Sequence, residues 1–218
     1  MSSFRERSTF LRQCCSHFRD IGSITPSSRF LARAVTHPLG DLGEDRHPAT
    51  VLEAGAGTGS ITHEIIRRLQ PGDRLTAYEI NPAFAQLLRE HLVPEAEQKG
   101  IGMDVACKPV EEIDRTQGIT CVVAGLPFAN FNPETVDAIF RTFFDVVVPG
   151  GTISFYGYIG LPRLKKLKSK QEARRIADVM RVIDGWCSGR QHDRKCVLLN
   201  VPPAWTRHIS VAADRSPD

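Results

Sequence analysis

The sequence predicts an α/β domain: a mostly parallel sheet of seven strands, helices on both faces, and an antiparallel strand at the C-terminal end. Three observations carry this. Strand-like and helix-like segments alternate from Thr50 to Tyr158. The run Val51-Leu-Glu-Ala-Gly-Ala-Gly-Thr-Gly59 leads an apolar strand directly into a glycine loop. Two later strand-like runs are separated by little more than Pro202-Pro203, too few residues for a helical crossover, so they must lie antiparallel.

In chain order, Phe4 to Phe18 has helical spacing, with Phe4, Leu11, Cys14, Cys15 and Phe18 near one face. Residues 1–48 are read as a helical cap and 49–218 as the main domain. Thr50–Ala54 is the first strand, Ser60–Leu69 the helix after the glycine loop, and Arg74–Glu79 the second strand. Pro82 and Pro133 each stand at the first turn of a helix, where the missing N–H costs nothing, and these helices run to about Leu92 and Val147. Gly102–Cys107 and Ile119–Ala124 are the third and fourth strands. Pro149-Gly150-Gly151 turns the chain into the fifth, Thr152–Tyr158. A basic stretch precedes a packing helix with the stripe Ile176, Val179, Met180 and Ile183. Lys195–Val201 and Trp205–Val211 form the closing pair.

Composition narrows the class. A chain of 218 residues fits one domain, and 41% hydrophobic with 24% charged residues is ordinary for a globular protein. No apolar run approaches the roughly 20 residues of a spanning helix. Charges occupy the place where a secretory signal would have its apolar core, so a cytoplasmic protein is expected. The six cysteines show no C-x-x-C pair; Cys107 and Cys121 fall in apolar runs and read as buried thiols. The seven histidines show no metal-ligand spacing, and no metal is expected.

Gly55, Gly57 and Gly59 allow a sharp turn and the close approach of a ligand, while the following helix offers free N–H groups. Their G-x-G-x-G spacing departs from the G-x-G-x-x-G of dinucleotide loops. No lysine occurs before Lys99, which excludes a phosphate-cradling Gly-Lys-Ser/Thr ending. Glu79 ends the second strand, placed to take a ribose diol. The pattern from Glu53 through Gly59, with that acid, resembles the first motifs of the class I methyltransferases. The resemblance implies a Rossmann-like fold, S-adenosylmethionine as cofactor, and a cofactor site drawn from Glu53, Gly55, Ala56, Gly57, Gly59, Glu79, Ile80 and Gly125.

Gly125-Leu-Pro-Phe-Ala-Asn-Phe131, ending the fourth strand, narrows the acceptor. Methyltransferases of exocyclic base amines carry a polar residue where Gly125 stands, although Phe128 could stack on a flipped base. Gly-Leu-Pro with Asn-Phe is instead similar to the bacterial phospholipid N-methyltransferases, which methylate phosphatidylethanolamine. Gly22-Ser-Ile-Thr-Pro-Ser-Ser28 and Asn200-Val-Pro-Pro-Ala-Trp205 also resemble that family, so the likeness spans residues 18 to 208. Where the family shows Gly-Asp-Ala after the third strand, this chain has Lys108-Pro109-Val110, and only Val110 carries over, as an apolar wall.

The formal charge is +3, yet Leu161 to Ile183 holds eight basic residues against Glu172 and Asp178. Arg163, Lys165, Lys166, Lys168 and Lys170 alternate with leucines, which suits an anionic membrane surface. The resemblance implies peripheral contact with the inner face of a membrane and a phospholipid amine as acceptor. Asn130, Tyr156 and Tyr158 are the candidates to hold the headgroup, the tyrosines through their ring faces. Desolvation lowers an amine's pKa, so a dedicated base is not required. Two other readings stand: an RNA adenine methyltransferase, for which the basic stretch would bind phosphates, and a non-catalytic cofactor-binding module.

Overall fold

The computed structural model describes residues 28–43, 47–159 and 170–213. The expected helix at Phe4–Phe18 and the stretch from Arg163 to Lys168 lie outside them. Seven strands are present among the described residues: β1 (Thr50–Ala54), β2 (Arg74–Tyr78), β3 (Gly102–Ala106), β4 (Ile119–Ala124), β5 (Val147–Tyr158), β6 (His192–Val197) and β7 (Ala204–Ser210). They form one sheet in the order β3-β2-β1-β4-β5-β7-β6. β7 alone runs against its neighbours, pairing antiparallel with both β5 and β6. The expected architecture is therefore present, with the reversed last strand inserted between the fifth and sixth.

The helices are α1 (Arg29–Val35), α2 (His37–Gly40), α3 (Ser60–Arg68), α4 (Pro82–Gln98), α5 (Pro133–Val146) and α6 (Lys170–Cys187). Asn81 and Asn132 cap α4 and α5 by accepting from Ala83 N–H and Thr135 N–H, with proline at the first turn as the sequence suggests. Ser28 caps α1 by accepting from Leu31 N–H. One core lies beneath α5 and α6, where Phe128, Phe140, Phe143 and Phe155 meet Val179 and Ile183. A second, around Val51, Ile65, Ile66, Leu75 and Leu88, seals the opposite face.

Four local expectations differ from the structure. Helix α4 continues to Gln98 through Pro94, because Ala96 is buried and its carbonyl takes the Ile101 N–H; this packing outweighs the bond that proline removes. β5 starts at Val147 because Pro149-Gly150-Gly151 forms an irregularity within the strand, the β4 register jumping from Ile119↔Val147 to Cys121↔Thr152. β6 begins at His192 and stops at Val197, and Leu198–Val201 is a turn. Cys107 lies one residue past β3 and is exposed, whereas Cys121 is buried.

No helix among the described residues is long and apolar enough to cross a membrane.

Candidate cofactor and acceptor site

Strand β1 lies between β2 and β4, so the chain order reverses at that point and opens a crevice at the strands' carboxyl ends. Glu53, Gly55, Ala56, Gly57, Gly59, Glu79, Ile80 and Gly125 all stand on loops or strand ends there. All three loop glycines have positive φ. Gly57 is the informative one: a Cβ added to it would meet nothing within 4 Å, so its bare backbone faces open space.

Glu53 is fully buried, and neither carboxylate oxygen has a hydrogen-bond partner within the protein. Burial pushes its pKa up to about 8, with the charge of Glu79 adding to the effect and the neighbouring Thr62 hydroxyl opposing it. A buried carboxyl left without a partner is costly unless a ligand completes it. Glu79 behaves differently. Its Oε2 accepts from Gly57 N–H at 2.7 Å and its Oε1 from Asn81 N–H at 2.7 Å, which ties the glycine loop to the end of β2. Each carboxylate oxygen keeps a second lone pair, so these bonds leave acceptor capacity for a diol.

Gly125 has a structural reason to be glycine. A Cβ there would stand 2.8 Å from the Gly55 carbonyl oxygen, because the loops after β1 and β4 touch. The side chain is missing to let two backbones meet. Phe128 is buried in a ring cluster, with centroids 5.3 Å from Phe140 and 5.9 Å from Phe155, and so presents no face to a flipped base. Val110 is buried in the same core cluster as Tyr78, with Ile80 and Leu126 packed against that cluster. Asn130 is half-buried in a short turn, Phe128–Asn130.

Tyr156 and Tyr158 share one face of β5, their rings 5.6 Å apart and edge to face. The register Glu53↔Val123↔Ser154 puts Ser154, and hence both tyrosines two and four residues on, on the sheet face that carries Glu53. The tyrosines pack against Leu31, Val197 and Ala204. Burial, with Tyr156 alongside, raises the Tyr158 pKa well above the ordinary phenol value and keeps it neutral.

Two features of the site had no signal in the sequence. Arg175 donates to the carbonyls of Ala129, at 3.0 Å, and Phe131, pinning the loop that carries Asn130 to α6. Ser154 donates to the Val35 carbonyl and accepts from His208 Nδ1 at 2.8 Å, fixing α1 to the sheet. Burial lowers the His208 pKa to about 4, so its ring is neutral.

Comparison with known proteins agrees with this geometry. A family profile described as a methyltransferase domain matches residues 51–151. An ornithine lipid N-methyltransferase from Singulisphaera acidiphila is 34% identical over 148 residues, which cover 66% of this chain and 74% of the relative. The chain belongs to the class I S-adenosylmethionine-dependent methyltransferases. Solved structures share the methyltransferase fold. An O-methyltransferase from Bacillus cereus in complex with SAH superposes with a TM-score of 0.60 at 12% identity, covering 93% of this chain and 90% of that one. A Klebsiella pneumoniae structure described as an O-methyltransferase gives 0.64 at 16% identity, covering 94% and 90%. The N-methyltransferase NodS from Bradyrhizobium japonicum gives 0.58 at 13%, covering 85% and 98%.

The cofactor of this methyltransferase is S-adenosylmethionine, and the residues present fit it. Glu53 is a buried anion-capable group without a partner, and Gly57 opens on free space.

Proposed function

We propose that this methyltransferase acts on the primary amine of a membrane-lipid headgroup, the chemistry that phosphatidylethanolamine and ornithine lipid share. The observation that carries the proposal is the 34% identity to a relative whose name specifies ornithine lipid N-methylation. The Gly125-Leu-Pro-Phe-Ala-Asn-Phe131 sequence supports it, and the burial of Phe128 removes the ring that a base-methylating reading would use.

In this proposal Glu53 holds the cofactor's ammonium end, Glu79 takes the ribose diol, Gly57 and Gly59 let the loop close on it, and Val110 and Ile80 wall the adenine. When bound, the cofactor supplies an electrophilic methyl group on a sulfonium. The protein's part is to bring a neutral amine in line with it. Tyr156 and Tyr158 offer ring faces to a cationic headgroup, and Asn130 offers a polar contact from the loop that Arg175 holds. Both tyrosines are half-buried, and withdrawing a headgroup from water there lowers its ammonium pKa, which opposes the ring-face attraction for the cation and releases the neutral, nucleophilic amine. The amine's proton can leave to water before the headgroup is enclosed, so no residue is assigned as a base.

Incubation with methyl-labelled cofactor and three acceptors tests this: phosphatidylethanolamine vesicles, ornithine-lipid vesicles and ribosomal RNA. Label extracted into the organic phase with a lipid acceptor is the expected result. Label retained on RNA, or none transferred to either lipid, would refute it.

A further inference from the structure

The turn joining β6 to β7 inverts the usual burial pattern. Leu198, Leu199 and Val201 are 72%, 68% and 82% exposed, while Asn200 between them is only 4% exposed. Asn200 is held inward by two bonds: its Oδ1 accepts from Ser28 N–H at 3.1 Å, and its Nδ2 donates to the Pro202 carbonyl at 2.7 Å. Three aliphatic side chains are thereby fixed outward on a turn stiffened by Pro202-Pro203. Single exposed leucines are commonplace, but adjacent ones presented by a buried polar anchor form a built surface.

The position of this turn gives it meaning. Tyr158 pairs with Ala204, and Ile159 N–H donates to the Pro203 carbonyl at 2.7 Å, so the tip projects beyond the carboxyl end of β5. That is the end of the sheet where the Glu53–Gly59 loop, Glu79 and the tyrosine pair stand. The exposed cations Arg29, at the start of α1 beside Asn200, and Lys170 and Arg174, in the first turns of α6, lie at the same end. Exposed aliphatic side chains next to Arg29, with further exposed cations at the same end of the sheet, match an interface that is apolar inside and anionic at its surface.

We infer that the Leu198-Leu199-Asn200-Val201 tip inserts among lipid acyl chains and seats the carboxyl end of the sheet on an anionic bilayer. The inference rests on the lipid reading above and adds the surface through which a headgroup reaches the site. The inserting side chains belong to the closing hairpin, distinct from those of the basic stretch and the N-terminal segment.

The test compares the full chain with a Leu198→Ser, Leu199→Ser, Val201→Ser variant, using vesicles of phosphatidylethanolamine and phosphatidylglycerol. Co-sedimentation should weaken by about tenfold or more, with thermal midpoint and S-adenosylmethionine affinity unchanged, because the replaced side chains touch neither core nor cofactor loop. Unchanged vesicle binding would overturn the inference. So would unchanged vesicle binding with a dimer-to-monomer shift in gel filtration, which would assign the tip to a second copy of the chain. Methylation of a short-chain lipid amine, dispersed below its micelle concentration, reports on the substrate reading separately. If the wild type fails to methylate it while vesicle binding still depends on the tip, the substrate reading falls and the membrane contact stands.

Discussion

At the residue scale the most consequential group is Glu53, because its environment dictates both a pH dependence and a ligand preference. Its folded pKa of about 8 lies above the ordinary carboxyl value of 4.5, so the folded protein binds more protons than the unfolded chain between those values. Its contribution to stability is complete at low pH and is lost as pH rises through 8. His208, lowered to about 4 from 6.5, acts in the opposite sense, its contribution being lost as pH falls from 6.5 to 4. The two oppose each other in mildly acidic solution and separate above pH 6.5. The free protein should therefore lose stability from there to pH 8 by up to about 1 kcal/mol per pH unit, measured by chemical denaturation. Glu53→Gln should flatten that slope and weaken cofactor binding; a slope that survives the substitution would place the titrating group elsewhere. Gly57→Val, whose backbone φ of +57° disfavours a branched side chain and whose side chain would enter the open space, should reduce cofactor affinity by about 100-fold in calorimetry. Glu79→Ala should also weaken it, first by releasing the Gly57 N–H that the carboxylate holds. The glycine loop and both acids were legible in the sequence because their chemistry depends on residue type and spacing. The reason for Gly125 was not, since an approach of 2.8 Å between two loops is a property of the folded sheet.

At the scale of elements, local pattern located β1 and β4 to the residue and β2 and β3 to within one, because each is a short apolar run bounded by turn residues. The errors have a common origin in tertiary packing. Pro94 reads as a helix stop, yet the buried Ala96 carries α4 past it. Val197-Leu198-Leu199 reads as strand, yet the anchoring of Asn200 turns the chain and sends the leucines outward. Asn200→Ala should destabilise the protein by about 1–3 kcal/mol in denaturant unfolding, as it leaves the Ser28 N–H and the Pro202 carbonyl without their partner. A smaller loss would mean that water replaces both bonds. Arg175 belongs to this scale too, since it couples α6 to the loop after β4. Arg175→Ala should raise the acceptor KM by about three- to tenfold while leaving cofactor affinity unchanged, because both of its hydrogen bonds go to the loop that carries Asn130. Equal loss of both would mark a general structural role instead.

At the scale of the whole molecule, the parallel strands bring the candidate cofactor residues and the tyrosine pair to one end of the sheet, and β7 returns against β5 to place an apolar tip at that same end. The proposed cofactor site, the proposed amine site and the proposed membrane contact thus all fall at a single pole of the fold. The cofactor half of this arrangement was readable from Glu53 to Gly59 and Glu79. The proposed acceptor half depends on which residues share a face across β1, β4 and β5, information that lies in register rather than in any one motif. The central claim is that this pole methylates the nitrogen of a lipid headgroup. Tandem mass spectrometry of an amine lipid, incubated in vesicles with S-adenosylmethionine and the full chain, tests it most directly. Methyl additions located on the headgroup nitrogen, absent with Gly57→Val, are the expected result; an unmodified lipid alongside intact cofactor binding, or methyl groups carried on any other atom, would contradict lipid N-methylation at this pole.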